Sequence, residues 1–589
     1  MQISFVMKVL ENQRSYSSWR SFENLQQKSS LFNSYSNKAT FVVLLSQLTV
    51  MRKFLLFFIG LFAAASLPAQ ENLPTDYLPA SFHAGRRQAL RELMPSNSVA
   101  VIFANPVHVF SEDVDFPYHQ NADLYYFSGY KEPNAVLLIF KEIQTSGDKQ
   151  YNEVFFIQRR DSAQESWTGR RMGIDKVRSQ LGFNMVFNGA DFKTFPVVFS
   201  KFDKIIFPAL PTTAEDFPSD AADLHDLIQT FKDKAGADKF SKAEDDDFLN
   251  RVASYAKMSN LQRFKQYLQN RISAQTLSPD HLFTKDISVQ DILNINDSVA
   301  LNNIKAKIEA RAASTSLYDK YVSMLRQIKT SEELVLLKKS VAISSIAHAE
   351  VMKAIQPGMS EKDLQAIFEF VHLKYGAEEE GYPPIVGAGN NGCTLHYEEN
   401  TKMNYGTDMV LMDVGAMYHG YSADVTRTVP STGKYTPEQK TIYDLVYNAQ
   451  DSVFKLCREG MTFDSTENTA VKVLAEGLVK LGIIKSKDDV GRYYPHGCSH
   501  FIGLDVHDKG IYQTMMANMA ITVEPGIYIP VNSPCDKKWW GIAVRIEDDI
   551  LITKNGYELL SKDAPRKSED VEKMAAKKSV LNDYILPKL

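Results

Sequence analysis

Met409-Val410-Leu411-Met412-Asp413-Val414-Gly415 and Tyr421-Ser422-Ala423-Asp424-Val425-Thr426-Arg427-Thr428-Val429 are two strand-like runs, each carrying a single acid. Both are rich in β-branched and other apolar residues, the composition of a buried strand. Tyr418 and His419 are the midpoint between them, so a symmetric loop gives a hairpin in which Asp413 and Asp424 face each other directly. Directly opposed Cβ atoms lie ~4.5–5.5 Å apart, and like charges there are destabilising. The pair then requires a cation, a shared proton or a different register, and a metal ion is the simplest resolution. The bland alternative leaves one aspartate at a strand end in water.

Further along, His496-Gly497-Cys498-Ser499-His500 and Val506-His507-Asp508 place three histidines close together in a chain that has only 12. No Glu follows His496, so this is not the HExxH pattern of zinc proteases. Thr522-Val523-Glu524-Pro525-Gly526-Ile527-Tyr528 is an acid at the end of an apolar strand halted by Pro-Gly, and in Ile542-Ala543-Val544-Arg545-Ile546-Glu547 the residues Arg545 and Glu547 share one strand face. Singly, each would be a solvated strand residue. Together they supply two Asp, two Glu and one His in apolar strand contexts. Four carboxylates and one imidazole suit two divalent metals, and oxygen-rich ligation favours Mn²⁺ over a thiolate-type zinc site. Two metals ~3.5–4 Å apart can deprotonate a bridging water and polarise a carbonyl, which is amide hydrolysis without a covalent intermediate.

Upstream of this half, Ala84 to Leu93 reads as a helix, and Val99 to Phe103, Ala135 to Phe140 and Glu153 to Ile157 read as strands. Apolar residues from Phe248 to Ile272 recur at helical spacing, so the stretch at about 234–325 reads as a helical insertion. A second domain begins near Lys329. Thr330-Ser331-Glu332-Glu333 resembles a capped helix start, the helix runs to about Ile355 before Pro357-Gly358, and another covers Ser360 to Tyr375. The domain reading is therefore 76–328 and 329–578.

The chain has 589 residues, enough for two or more domains, with an ordinary globular balance. Its net charge of −5 gives no basic face for nucleic acid. Four cysteines, Cys393, Cys457, Cys498 and Cys535, with no CxxC pair, are not a disulfide scaffold and read as free, buried thiols. Met51-Arg52-Lys53, the apolar run Phe54 to Ala65 and the small residues after it have the form of a secretory signal over 51–69. The run is short for a membrane span, so no stable span is expected after its removal. Export to the periplasm or the exterior is expected if that signal is used, and cytoplasmic residence otherwise. Residues 1–50 read as a start-site artefact or a disordered extension.

From Leu78 to Met574, less the insertion, the sequence resembles the pita-bread metallopeptidases, in their aminopeptidase P branch. The resemblance is carried by Gly387-Ala388-Gly389-Asn390-Asn391-Gly392-Cys393-Thr394-Leu395-His396-Tyr397, by the Asp413, Asp424, His496–His500 and Leu504–Asp508 segments, and by Val523-Glu524-Pro525-Gly526 and Arg545-Ile546-Glu547-Asp548-Asp549. In the other half it is carried by Tyr118 to Tyr130, Glu132 to Val136 and Trp167 to Gly173. It implies an α/β (α+β) fold: a creatinase-like N-terminal α/β domain with the helical insertion, then a pita-bread catalytic domain. It also implies a Xaa-Pro aminopeptidase, hydrolysing peptides with proline second by a hydroxide bridging two metals. Asp413 would hold one metal, Asp424 and Glu547 would bridge both, and His500 and Glu524 would complete the other. Glu524 would also shuttle a proton to the leaving amine. His396, His507 and Arg545 match catalytic and substrate-binding positions, and His496 and Tyr528 match the lining of the proline pocket. A homo-oligomer, dimer or tetramer, is implied as well, with Trp167 near a neighbouring subunit's site.

A prolidase, which cleaves only Xaa-Pro dipeptides, is the nearest rival and shares all five ligands. A non-catalytic binding protein on the same fold is the rival from another class, and the presence of every ligand type argues against it.

Overall fold

The computed structural model describes residues 76–217, 222–236 and 314–583, together with 265–266, 268–269, 287–294, 300 and 303. The readings over 1–50 and 51–69 lie outside the described residues, as does most of the insertion at 234–325. Within that stretch the helices Ile287–Asn294 and Ser314–Arg326 are described. No helix among the described residues is long and apolar enough to cross a membrane.

The N-terminal half is built on a five-stranded mixed sheet in the order Val186–Asn188, Lys149–Ile157, Val136–Ser146, Ser98–Phe103, Lys204–Ile206. Ser98–Phe103 is buried along its whole length, which is why its sequence reads as a continuous apolar run instead of an alternation. Alternate residues still go to different cores. Val99, Val101 and Phe103 pack with Phe199 and Phe231 on one face. Ala100 and Ile102 join a second core on the other face, with the helices Ala80–Leu93 and Ala122–Ser128. That second core also contains Leu336, Leu337, Val341, Tyr418, Tyr421, Ile502 and Leu504, so the two halves of the chain share it.

The helix Ser331–Ala354 is the connector. Its start is fixed by a capping box: Glu333 N donates to Thr330 Oγ1 and Thr330 N to Glu333 Oε2, which satisfies two otherwise orphaned donors. Leu336, Leu337 and Val341 face the shared core, while Ala347, Val351 and Met352 enter the catalytic core. The helix Glu361–Lys374 follows, capped by Ser360.

The catalytic half contains several short sheets instead of one long one. Thr426–Pro430, Met409–Asp413 and Ile385–Ala388 form the first, and Tyr421–Ser422, Ala416–Tyr418 and Glu379–Glu380 the second. Ala520–Val523, Asp548–Thr553 and Gly556–Leu559 form a third, and Gly526–Ile529 pairs with Ile542–Arg545. The helices Pro437–Phe454 and Asp464–Lys480 complete the core around them.

The central hairpin corrects the expected register. Its turn is His419-Gly420, both with positive φ (49° and 87°), the geometry of a two-residue hairpin turn. Tyr418 pairs with Tyr421, Met417 with Ser422, and Asp413 with Thr426. Asp413 therefore does not oppose Asp424; the register is displaced by two residues. The two strands are also each broken at the centre. Gly415 lies at the break, where an added Cβ would stand 2.0 Å from the Ala423 carbonyl oxygen. The Ala416 N–H and the Val414 carbonyl freed there find partners on the connecting helix, and the Ala416 carbonyl, which keeps the Ala423 N–H (3.0 Å), gains a second donor. Ser340 donates to the Ala416 carbonyl (2.6 Å), Ser344 accepts from Ala416 N–H (2.9 Å), and His348 reaches the Val414 carbonyl (3.2 Å). These three side chains are spaced one helical turn apart, so one polar stripe satisfies the break.

All four cysteines are unpaired; Cys457 and Cys498 are buried, whereas Cys393 and Cys535 are only half-buried.

Candidate active site

Each of the four acids singled out from the sequence stands where one ladder ends and another begins. Asp413 is the last residue of its strand, and Asp424 lies between Tyr421–Ser422 and Thr426–Pro430. Glu524 lies between Ala520–Val523 and Gly526–Ile529, where Pro525 has no N–H to extend the ladder. Glu547 lies between Ile542–Arg545 and Asp548–Thr553.

The His496–His500 segment runs antiparallel to Ala520–Val523. Glu524 N–H donates to the Cys498 carbonyl (2.8 Å), Thr522 N–H to the His500 carbonyl (2.9 Å), and Phe501 bridges Ile521. This pairing brings His500 beside Glu524. His500 Nδ1 lies 3.0 Å from the Phe501 carbonyl, so it carries the proton and leaves the Nε2 lone pair free. Nε2 lies 3.3 Å from Asp424 Oδ2, 3.3 Å from Glu524 Oε1 and 3.9 Å from Glu547 Oε1. Asp424, His500 and Glu547 offer ligand atoms that all lie within 4.8 Å of one another.

Asp413 joins through Tyr382, for which the sequence showed no role, and through Arg545. The Tyr382 hydroxyl stands 2.6 Å from Asp413 Oδ1 and 2.8 Å from Asp424 Oδ1, tying the two aspartates together despite the shifted register. Arg545 Nη2 is 2.5 Å from Asp413 Oδ2, its Nη1 donates to Tyr528 Oη (2.9 Å), and its Nε to Thr426 Oγ1 (3.1 Å). Thr426 in turn donates to Glu547 Oε2 (2.7 Å). Behind these, Asp549 accepts the Asp424 N–H (3.0 Å), and Gln450 Nε2 reaches the carbonyls of Val523 (3.0 Å) and Ile546 (3.1 Å), the residues just before Glu524 and Glu547. Tyr382 sits in Gly381-Tyr382-Pro383-Pro384, which reads only as a turn; Thr426, Asp549 and Arg427 lie inside the motifs but carried no assigned role.

Asp413, Asp424, His500, Glu524, Arg545 and Glu547 line a cleft of about 360 Å³ that also includes His396, His496 and His507. The His507 ring meets the His500 ring edge-on, with centroids 4.3 Å apart. The Tyr528 hydroxyl donates to His496 Nε2 (2.7 Å), linking it to Arg545. His396 lies in an exposed stretch of the wall. All ten residues expected at the site are thus brought together: nine line the cleft, and Tyr528 is buried behind its wall.

The charges do not balance within the protein. Burial, and then the neighbouring Asp413, raise the Asp424 carboxyl far above its ordinary range; burial, Asp424 and Glu524 do the same to Glu547. Burial raises Glu524 to about 7, with His500 drawing it down and Asp424 pushing it up. Burial opposes ionisation of Asp413 too, but Arg545 and the Tyr382 hydrogen bond outweigh it. Glu547 Oε1 is buried with no hydrogen-bond partner among the described residues. A crowd of buried carboxylates with one guanidinium, and with the Glu547 oxygen unsatisfied beside His500, fits divalent cations, because a buried charge needs a partner. The oxygen-rich donor set also fits them.

Residues 335–554 match metallopeptidase family M24, and residues 83–202 match the aminopeptidase P N-terminal domain. The Xaa-Pro aminopeptidase of Escherichia coli (strain K12) is 32% identical over 499 residues, covering 83% of this chain and 96% of that protein. The chain belongs to metallopeptidase family M24. Among solved structures, E. coli aminopeptidase P with the inhibitor Pro-Leu is similar at a TM-score of 0.63 and 29% identity, covering 85% of this chain and 98% of that one. Pseudomonas aeruginosa aminopeptidase PepP is similar at 0.63 and 27%, covering 85% and 99%. M24 membership together with the aminopeptidase relatives makes the chain a metal-dependent aminopeptidase, a hydrolase that uses divalent metal ions, with the N-terminal α/β domain of aminopeptidase P ahead of its catalytic domain.

Proposed function

We propose that this M24 aminopeptidase releases the N-terminal residue from peptides whose second residue is proline, using two divalent metal ions, Mn²⁺, held by Asp413, Asp424, His500, Glu524 and Glu547. The observation that carries the reading is the convergence of Asp424, Glu524 and Glu547 on His500 Nε2, with Asp413 tied to Asp424 through Tyr382 and the Glu547 oxygen left unsatisfied. When bound, the metals supply a Lewis acid and lower the pKa of water.

The chain's own groups do the rest. Glu524 is the most exposed of the four carboxylates, at 17% against 2% for Glu547, 7% for Asp424 and 11% for Asp413. It faces His500 on one side and His496 Nδ1 (3.7 Å) on the other, which suits it to accept a proton from water and deliver it to the leaving amine. Desolvation, then His500 and His396, pull His507 down to about 4, and burial with Arg545 does the same for His496. Both rings are therefore neutral near pH 7; His507 can offer an N–H to a peptide carbonyl, or the oxyanion it becomes, while His496, with its nitrogens turned to Gly497 and Tyr528, serves as pocket wall. Arg545 holds Asp413 and, through Tyr528, His496, so it sets both a ligand and the pocket wall. Trp167, 80% exposed, supports a homo-oligomer; the apolar run Phe54 to Ala65 supports export.

The test is cleavage of one Xaa-Pro dipeptide and one Xaa-Pro-Yaa tripeptide, with Mn²⁺ and with chelator. Release of the first residue from the tripeptide, lost on chelation and restored by Mn²⁺, is the expected result. Cleavage of the dipeptide alone would make the chain a prolidase, and cleavage of neither would remove the proline specificity.

A further inference from the structure

The loop that carries His507 is held from outside the catalytic half. It leaves the His500 segment at Phe501 and returns there, where Asp508 N–H donates to the Phe501 carbonyl (2.8 Å). Gly503 lets it close: a Cβ there would stand 2.0 Å from Asp508 Oδ2 and 2.7 Å from Lys329 Nζ. On one side of the loop His507 faces the cleft against His500. On the other side Asp505 lines a separate cavity of about 460 Å³, which it shares with Asp123 and Arg326. The loop is a partition between the two.

Its back is fixed by buried charges. Arg326, the last residue of the helix Ser314–Arg326, donates Nη1 to Asp123 Oδ1 (2.6 Å) and Nη2 to Asp505 Oδ2 (2.7 Å) and to Asp508. Asp123 belongs to the helix Ala122–Ser128 of the N-terminal domain. Lys329 Nζ binds Asp508 Oδ2 (2.6 Å), and Lys509 Nζ binds Asp123 Oδ2 (2.8 Å). Arg326, Asp123 and Asp508 are all nearly inaccessible, at 1%, 4% and 4%. A buried ion network of this kind gains little stability over apolar packing, and its best-attested use is to fix register. Here it registers one element of the N-terminal domain against the residue next to His507.

We propose that Asp123 and Arg326 are positioning residues for His507, so that the seating of the N-terminal domain is transmitted to the catalytic cleft through the Gly503–Asp508 loop. The role of His507 in the cleft is taken from the proposed function; the mechanical link is not. Asp123→Asn keeps the shape of the side chain and removes the charge that Arg326 and Lys509 share.

Two measurements on the full Mn²⁺-loaded protein decide it. Hydrogen exchange read by mass spectrometry should show faster exchange across residues 503–509 in Asp123→Asn. In cleavage of an Xaa-Pro-Yaa peptide, Asp123→Asn should lower kcat about tenfold with KM within about twofold, and cost less than about twofold in a His507→Asn background, because coupled residues are non-additive. Arg326→Lys, which keeps the charge and loses the fork, should repeat the pattern if Asp123→Asn does not fold. Unchanged exchange across the loop, or an equal loss of kcat in both backgrounds, overturns the proposal. If the wild type cleaves no such peptide, the proline reading fails, and the exchange measurement still decides the link.

Discussion

Glu524 makes the metal-free protein less stable as pH rises, and Glu524→Gln should remove that penalty. Burial lifts the folded carboxyl from an ordinary 4.5 to about 7. The folded chain therefore keeps a proton that the unfolded chain gives up. Stability is full below about pH 4.5 and is lost as pH rises through about 7. At 1.36 kcal/mol per pKa unit, the loss is about 3 kcal/mol by pH 8. Spread over the Tyr77–Leu589 unit, at ~2.1 cal/mol/K per residue, that corresponds to roughly 3 °C in Tm. The assay is thermal unfolding of chelated wild type and chelated Glu524→Gln at pH 5 and pH 8. The variant should melt higher at pH 8, and the gap should narrow to under about 1 kcal/mol at pH 5. With Mn²⁺ at about 1,000 times its Kd the order should reverse, because a ligand bound only by the folded state then adds about 4.1 kcal/mol, more than the penalty, and the variant has lost a donor. Equal melting of the two chelated proteins at pH 8, or a gap as wide at pH 5, would refute the electrostatic account of the site.

Tyr382→Phe removes the hydroxyl that ties Asp413 to Asp424, and should weaken metal binding about tenfold by calorimetry while leaving the circular dichroism spectrum unchanged. Arg427 is wholly buried, donates to the Glu547 carbonyl and pairs with Asp548 at 2.6 Å; Arg427→Met should cost about 3–5 kcal/mol in denaturant unfolding, since it strands a buried carboxylate. Ser344→Ala leaves the Ala416 N–H without its partner, and should destabilise by about 1–3 kcal/mol in the same experiment.

Much of the fold was legible because local signals agreed with one another. The capping box at Thr330 and Glu333, the stop at Pro357-Gly358 and the apolar run at Val99 to Phe103 each depend on a few neighbouring residues, and each appears where it was expected. The helix before that run begins at Ala80, four residues earlier than its apolar pattern suggests. The long-range fasteners were not legible. Ser340, Ser344 and His348 look like ordinary interior residues of a helix until the strand break they satisfy is placed beside them. Arg326 is likewise a single basic residue at a helix end until Asp123 and Asp508 arrive from positions far apart in the chain.

The hairpin shows why an incorrect register still led to the right pair of acids. Side chains alternate across a strand with a period of two, so a displacement of one residue would have sent Asp424 to the opposite face from Asp413. The actual displacement is two, set by the His419-Gly420 turn, and it leaves both on the same face as diagonal neighbours. Diagonal positions alone would hold the carboxylates too far apart to share a partner closely. The break at Gly415 makes up the difference. It releases Asp424 from the ladder, and the Tyr382 hydroxyl closes the gap to within hydrogen-bond distance of both. The same device recurs at Glu524 and Glu547, which also stand between ladders. A residue inside a regular strand is aimed by the pleat, whereas one at a break can be aimed by its neighbours. Side chains from separate sheets can then converge on His500, and the sequence records those breaks only as a glycine, a proline or a change of pattern.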